Sequence, residues 1–137
     1  MSAKPSMIMA GDQPSLVSLI SDILEVPDVL FVVKSGAAVA EIRGDSLDVS
    51  YKNNWITVGD NNGPAHMHIN MTGVSSVRFV QEEKPTRTSY SVQLTDDSGE
   101  RILAAFFTKM YDSEMKLRPD RVGTYELLEK EWGNKMS

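Results

Sequence analysis

Cysteine is absent from this chain of 137 residues. Its absence excludes disulfides, cysteine-ligated zinc sites, iron–sulfur clusters and thiol nucleophiles. A cysteine-free composition also suits the reducing cytoplasm, and we expect the protein there.

Long apolar runs are also absent. Residues 1–13 lack the apolar stretch of about 7–15 residues that a signal peptide requires. The longest later run, residues 29–33, is far shorter than the roughly 18 residues that cross a bilayer. We therefore expect a soluble protein with no membrane insertion.

The sequence also lacks an excess of positive charge. The chain has 14 Lys and Arg against 19 Asp and Glu, which gives a formal net charge of -5. The basic residues are scattered, so no positive field is available to hold a phosphate backbone. Nucleic acid is therefore not an expected partner.

Hydrophobic spacing predicts a helix at each end of the chain and strands between them. Residues 12–26 carry leucine and isoleucine on one helical face, and Pro27 ends that helix. Residues 28–108 form short apolar or alternating segments separated by Gly, Asn, Asp and Pro, which is typical of an antiparallel meander of about eight strands. Residues 118–133 become helical again, although Gly123 should delay the start of that helix.

These elements predict an α+β fold. We expect a large antiparallel β-sheet with the N-terminal and C-terminal helices packed on it. The length fits a single domain over residues 1–137, with residues 1–11 as a loose tail.

Both histidines of the chain stand two residues apart, directly after the turn at residues 60–64. On a strand, His66 and His68 would point to the same side, about 6.6 Å apart. Such a pair can bind one metal ion, but a metal-dependent enzyme would need a third ligand, which Asp60, Asp45 or a glutamate would have to supply. Alternatively, both rings lie in solvent on a non-catalytic interaction module, with no role of their own.

Haem is a further option, because one imidazole can hold the iron when an apolar slot and one or two cations complete the site. Four strand aromatics could wall such a slot, although strand aromatics more often belong to the core. They are Trp55, Tyr90, Phe106 and Phe107.

An ordered series of short segments resembles the cytoplasmic haem-utilisation family of the ChuX, HutX and HemS type, in its short, single-repeat form. A histidine-isoleucine step begins a strand, an apolar strand and a charged loop follow, and a hairpin with an acidic Ser-Gly turn ends in a phenylalanine pair. The segments are His68-Ile69, residues 77–81, Tyr90-Ser91-Val92-Gln93-Leu94, Asp97-Ser98-Gly99 and Ala105-Phe106-Phe107.

The resemblance implies an intracellular haem-binding protein for haem uptake, trafficking or storage. His68 corresponds to the family's candidate haem-iron ligand, and His66 is an additional histidine beside it. A second family histidine is replaced here by Lys34, whose ammonium could meet a haem propionate. The resemblance also implies a homodimer, which would cover open strand edges. Because no separate catalytic group is evident, we expect a haem carrier rather than an enzyme.

Overall fold

The computed structural model describes residues 13–135, so the expected tail at residues 1–11 lies outside the described residues. The described part contains two helices, eight strands and one 3-10 turn. In chain order these are α1 (Gln13–Leu24), β1 (Val29–Ser35), β2 (Ala38–Arg43), β3 (Val49–Lys52), β4 (Trp55–Gly59), β5 (His66–Asn70), the 3-10 turn (Met71–Gly73), β6 (Ser76–Glu83), β7 (Thr88–Thr95), β8 (Arg101–Phe107) and α2 (Pro119–Lys135).

The predicted α+β class is confirmed, and the eight antiparallel strands divide between two sheets. The five-stranded sheet has the order β2-β1-β8-β7-β6, and the three-stranded sheet has the order β3-β4-β5. Two turns separate the sheets. The first begins at Gly44, where a Cβ would lie 2.9 Å from the Phe31 ring, and continues through Ser46 at φ 65°. The second is the 3-10 turn after β5.

Each helix covers the inner face of the sheets. The apolar face of α1, which includes Leu19, Ile20 and Ile23, is almost fully buried, and α1 contacts β3. Trp132 of α2 donates its indole N–H to Asp22 of α1 at 3.0 Å, which joins the two helices. Neither helix of the described residues is long and apolar enough to cross a membrane.

The helix α2 begins at Pro119, so the expectation that Gly123 delays its start is wrong. Proline has the backbone φ of a first helical turn, and Asp120 places a carboxylate near the positive end of the helix dipole. These residues at the start offset the intrinsic cost of a glycine in the second turn.

Tyr125 fixes α2 to the five-stranded sheet. Its ring is fully buried and makes edge-to-face contacts with Phe79, Tyr90 and Phe107, at centroid distances of 5.2–5.7 Å. Its hydroxyl donates to the backbone oxygen of Ser91 at 2.8 Å. Three strands and the helix therefore meet at one side chain.

We predict that Tyr125→Phe lowers the free energy of unfolding by about 1 kcal/mol, since it removes one buried hydrogen bond and keeps the aromatic contacts. Urea unfolding should show a lower midpoint with an unchanged slope. Tyr51→Phe is the matched control, because Tyr51 is 56% exposed. Equal midpoints for wild type and Tyr125→Phe would contradict this role of the hydroxyl.

Candidate functional site

The strand β5 presents its two histidines to the outside. Met67 and Ile69 point toward the core and are half-buried and buried, whereas His66, His68 and Asn70 are exposed. This alternation follows from the period of two in a β-strand, because the apolar residues occupy the side that the core requires. The imidazoles therefore share one open face of the three-stranded sheet, which we call the histidine face.

Hydrogen bonding orients the ring of His68. Its Nδ1 lies 3.0 Å from the Oγ1 atom of Thr57, which stands directly opposite His68 in the β4–β5 register. The ring of His66 packs edge-to-face against that of His68, with centroids 5.3 Å apart and planes at 66°. Because Nδ1 is engaged, Nε2 is the nitrogen of His68 that remains for a ligand.

The backbone of β4 comes very close to His66. Gly59 stands opposite His66 at φ 92°, and a Cβ on Gly59 would lie 2.4 Å from the Ala65 oxygen and 3.0 Å from the His66 Cα. Only glycine fits this position without displacement of the backbone. The histidine end of the face is therefore flat on the β4 side.

An aromatic residue and a cation continue the same face on the other side of His68. Trp55 pairs with Asn70, and Lys52 pairs with Trp55, so the side chains of all three project to the face that carries His68. The Trp55 side chain is 49% exposed. A large apolar ring that is half open to solvent is available for contact with a ligand or partner.

An open groove of about 790 Å³ borders this face. Thr57 and Gly59, the β4 residues opposite the two histidines, form part of its wall. Three aspartates also line it, Asp45, Asp48 and Asp60, and its lining contains no Lys or Arg. The groove is therefore polar and negative, in contrast to the apolar slot that a haem site calls for.

The other predicted residues lie elsewhere. Lys34 is exposed near the end of β1, opposite Val39 of β2, and thus belongs to the five-stranded sheet. No described contact joins it to either histidine. Tyr90 and Phe107 are buried around Tyr125, as expected for core aromatics, and Phe106 is half-buried.

The described residues do not provide a third ligand for a metal ion. Within residues 13–135, no group of three or more His, Asp or Glu side chains is placed to hold one. Asp45 and Asp60 instead accept hydrogen bonds from the backbone N–H groups of Asp28 and Asn62. The alternative of a metal-dependent enzyme with a His-x-His site therefore has no support in this part of the chain.

Two residues of the face, Thr57 and Lys52, were not predicted as site residues. The feature that identifies them is the pairing register of the strands, which places Thr57 opposite His68 and Lys52 opposite Trp55. The two-residue turn at Asn53-Asn54 makes the second pairing readable from the sequence, whereas the six residues between β4 and β5 leave the first one undetermined.

The chain is similar to known proteins in both sequence pattern and fold. A protein-family model matches residues 17–130, which is most of the chain. No curated protein matches it. A crystal structure of ChuX superposes with a TM-score of 0.76 at 13% identity, over 97% of this chain and 78% of ChuX.

Two larger proteins match over about a third of their length. Holo-PhuS, described as a heme-binding protein from Pseudomonas aeruginosa, has a TM-score of 0.68 at 19% identity, over 88% of this chain and 33% of PhuS. ChuS, described as an E. coli heme oxygenase, has a TM-score of 0.63 at 12% identity, over 96% of this chain and 36% of ChuS. At these identities the structural likeness concerns the fold, and with the family match it leads to one conclusion. The chain belongs to the ChuX-type haem-utilisation family.

Proposed function

We propose that this protein binds haem with His68 as the iron ligand. The observation that carries the proposal is the hydrogen bond between Thr57 and Nδ1 of His68, on an open face beside an exposed tryptophan. Two similar structures support it, since ChuX and PhuS are both described as heme-binding proteins.

The residues of the face fit the parts of a haem. A metal-ligating histidine commonly donates its other ring N–H to an oxygen, which fixes the tautomer and the ring orientation. Thr57 supplies an oxygen at that distance. In the tautomer in which Nδ1–H donates to Oγ1, the lone pair of Nε2 is left for iron. His68 would hold the iron through Nε2, and haem would supply the iron centre.

The surface around that nitrogen contains an aromatic ring and a lysine on one side and three aspartates on the other. The Trp55 ring provides an aromatic surface for the flat macrocycle, and the Lys52 ammonium beyond it provides a partner for a propionate. His66, whose ring packs against that of His68, borders the same ligand. The three aspartates of the groove would repel the propionates, whereas Lys52 on the other side would attract them.

We also propose that two copies of the chain associate. The edge strand β2 supports this, because Ala38, Val39, Ala40 and Glu41 are all exposed and the strand is thus open on both faces. An uncovered edge strand with exposed Val39 is a template for pairing with another chain. A second copy would also give His68 a closed site, since one copy covers only one side of a bound haem.

The role that we infer is haem carriage in the cytoplasm, during uptake, trafficking or storage. Carriage needs a ligand atom and a binding surface, and His68 with Trp55 supplies both. The cysteine-free composition supports a reducing compartment. Lys34 stands at the family position of a second histidine, and we propose that its ammonium contacts a haem propionate. This contact would extend the site beyond the histidine face.

The first prediction concerns the iron ligand. Titration of haemin into the apoprotein should give a saturable Soret band. His68→Ala should shift that band and weaken binding by at least about a hundredfold, because loss of an outer-shell partner alone costs 10–100-fold. His66→Ala is the matched control and should retain the position of the Soret band, because His66 borders the ligand but does not hold the iron. An unsaturable wild-type titration, or identical spectra for wild type and His68→Ala, would refute the proposal.

The second prediction concerns Thr57. Thr57→Val keeps the β-branched shape and removes the hydroxyl, so haem affinity should fall by about 10–100-fold, whereas Thr57→Ser should retain it. In the apoprotein, ¹⁵N NMR should show one dominant tautomer of His68 in the wild type and a mixture in Thr57→Val. The same tautomer ratio in both proteins would show that Thr57 does not position the ring.

The third prediction concerns association. Sedimentation equilibrium should give twice the mass of one chain, and Val39→Asp should shift the equilibrium toward the monomer, because it introduces a charge at the exposed edge. Leu127→Asp is the control, since Leu127 is 69% exposed on α2, on a different element. A wild-type monomer, or equal loss of association in both variants, would rule out pairing through β2.

A further inference from the structure

The two histidine rings lie closer together than their positions on β5 require. Residues i and i+2 of a strand are about 6.6 Å apart. The ring centroids of His66 and His68 are 5.3 Å apart, with planes at 66°, and both side chains are exposed. The haem proposal uses only His68 as a ligand, so the neighbouring imidazole of His66 has no ligand role of its own.

The distance between the rings is that of two imidazoles bound to one metal ion. Zinc binds histidine nitrogens at about 2.0–2.1 Å in tetrahedral geometry, which places the centres of two bound rings roughly 5.2 Å apart. The observed distance of 5.3 Å agrees with this value. A neutral imidazole has one nitrogen with a free lone pair, so each ring can supply one ligand atom. The pair can therefore hold one ion between the two rings.

The surroundings of the pair favour a cation. The hydrogen bond between Thr57 and Nδ1 of His68 orients that ring and leaves Nε2 for a ligand. The groove that borders the histidine face is lined by Asp45, Asp48 and Asp60 and by no Lys or Arg. A cleft lined by one sign of charge raises the local concentration of ions of the opposite sign. The groove therefore attracts cations to the end of the face where the histidines lie.

We propose that His66 and His68 together bind one divalent transition-metal ion and that this ion competes with haem for His68. The ion belongs to the group that prefers imidazole ligands, which includes Zn²⁺, Cu²⁺ and Ni²⁺. Within residues 13–135 no third His, Asp or Glu is placed to join the pair. Two protein ligands are fewer than a catalytic or structural zinc site has, so the ion is held weakly and exchanges. The competition rests on the proposed haem function, whereas the metal site does not.

Zinc is the probe for the metal site, titrated into the haem-free wild-type chain and followed by calorimetry and ¹⁵N NMR of the imidazoles. Binding should saturate at one ion per chain, and one nitrogen of each histidine should shift. His66→Ala and His68→Ala should each weaken binding by at least about tenfold, because each removes one of two ligands. Asn61→Ala is the matched control, since Asn61 is an exposed residue of the same groove that carries no imidazole.

Haemin titrations with and without zinc test the competition. Zinc at ten times its dissociation constant should raise the apparent dissociation constant of haemin about tenfold, because the two ligands exclude each other at His68. In His66→Ala, haemin should still bind, but the same zinc concentration should change its affinity by less than about twofold. The variant therefore separates the effect of zinc from the binding of haem.

The metal site is overturned if zinc does not bind saturably to the haem-free wild type, or if either histidine variant binds zinc as tightly as Asn61→Ala. The competition is overturned if wild type binds both ligands and zinc leaves the haemin affinity unchanged. A wild-type chain that binds zinc but no haemin would refute the haem proposal, and with it the competition, while the metal site would stand.

Discussion

The architecture depends on two side chains of α2, Arg121 and Tyr125, which lie one helical turn apart on the same face. Arg121 is buried and donates to the backbone oxygens of Pro27 at 2.6 Å and Thr108 at 2.7 Å. These carbonyls precede β1 and follow β8, which are neighbours in the sheet. Tyr125 reaches the next strand, β7, through its bond to Ser91. Three strand segments are thus joined to one helix by polar contacts within the core.

A buried guanidinium is costly unless its donors are satisfied. Burial lowers the pKa of Arg121, while the carboxylate of Asp28 opposes that shift. Backbone carbonyls satisfy the terminal nitrogens, and among the described residues only Nε is buried without a partner. The inner face of the five-stranded sheet is therefore buried in the core and not available to ligands. Contact with large ligands or partners is left to strand edges and outer faces, of which the histidine face is one.

The strands could be predicted closely from the sequence, because alternating residues and turn residues mark them. The meander of about eight strands predicted over residues 28–108 corresponds to β1–β8, which extend from Val29 to Phe107. The division into two sheets could not be predicted, because turn residues indicate only which consecutive strands pair, whereas the five-stranded sheet also places β1 beside β8. That pairing joins Val29 to Phe107, which are far apart in the chain, and leaves no local pattern.

The alternation of side chains along a strand also makes part of the candidate site predictable. Periodicity alone places His66 and His68 on one side of a strand, whereas the exposure of that side depends on which residues the core selects. Trp55 illustrates the limit, since aromatic strand residues are usually buried and this one is 49% exposed. The alternation of β4 explains it, because Ile56 and Val58 occupy the inward positions and force Trp55 outward.

The two sides of the histidine face carry opposite charges. Asp45, Asp48 and Asp60 lie in the groove at one side, and Lys52 lies beyond Trp55 at the other. Because like charges repel and opposite charges attract, a ligand with an apolar body and carboxylates is favoured with its carboxylates on the Lys52 side. Within one copy, Lys52 is the cation that shares a face with His68, whereas Lys34 belongs to the other sheet. In the proposed dimer, the second copy of the chain would bring Lys34 to a haem held by His68, because within one copy Lys34 belongs to the other sheet.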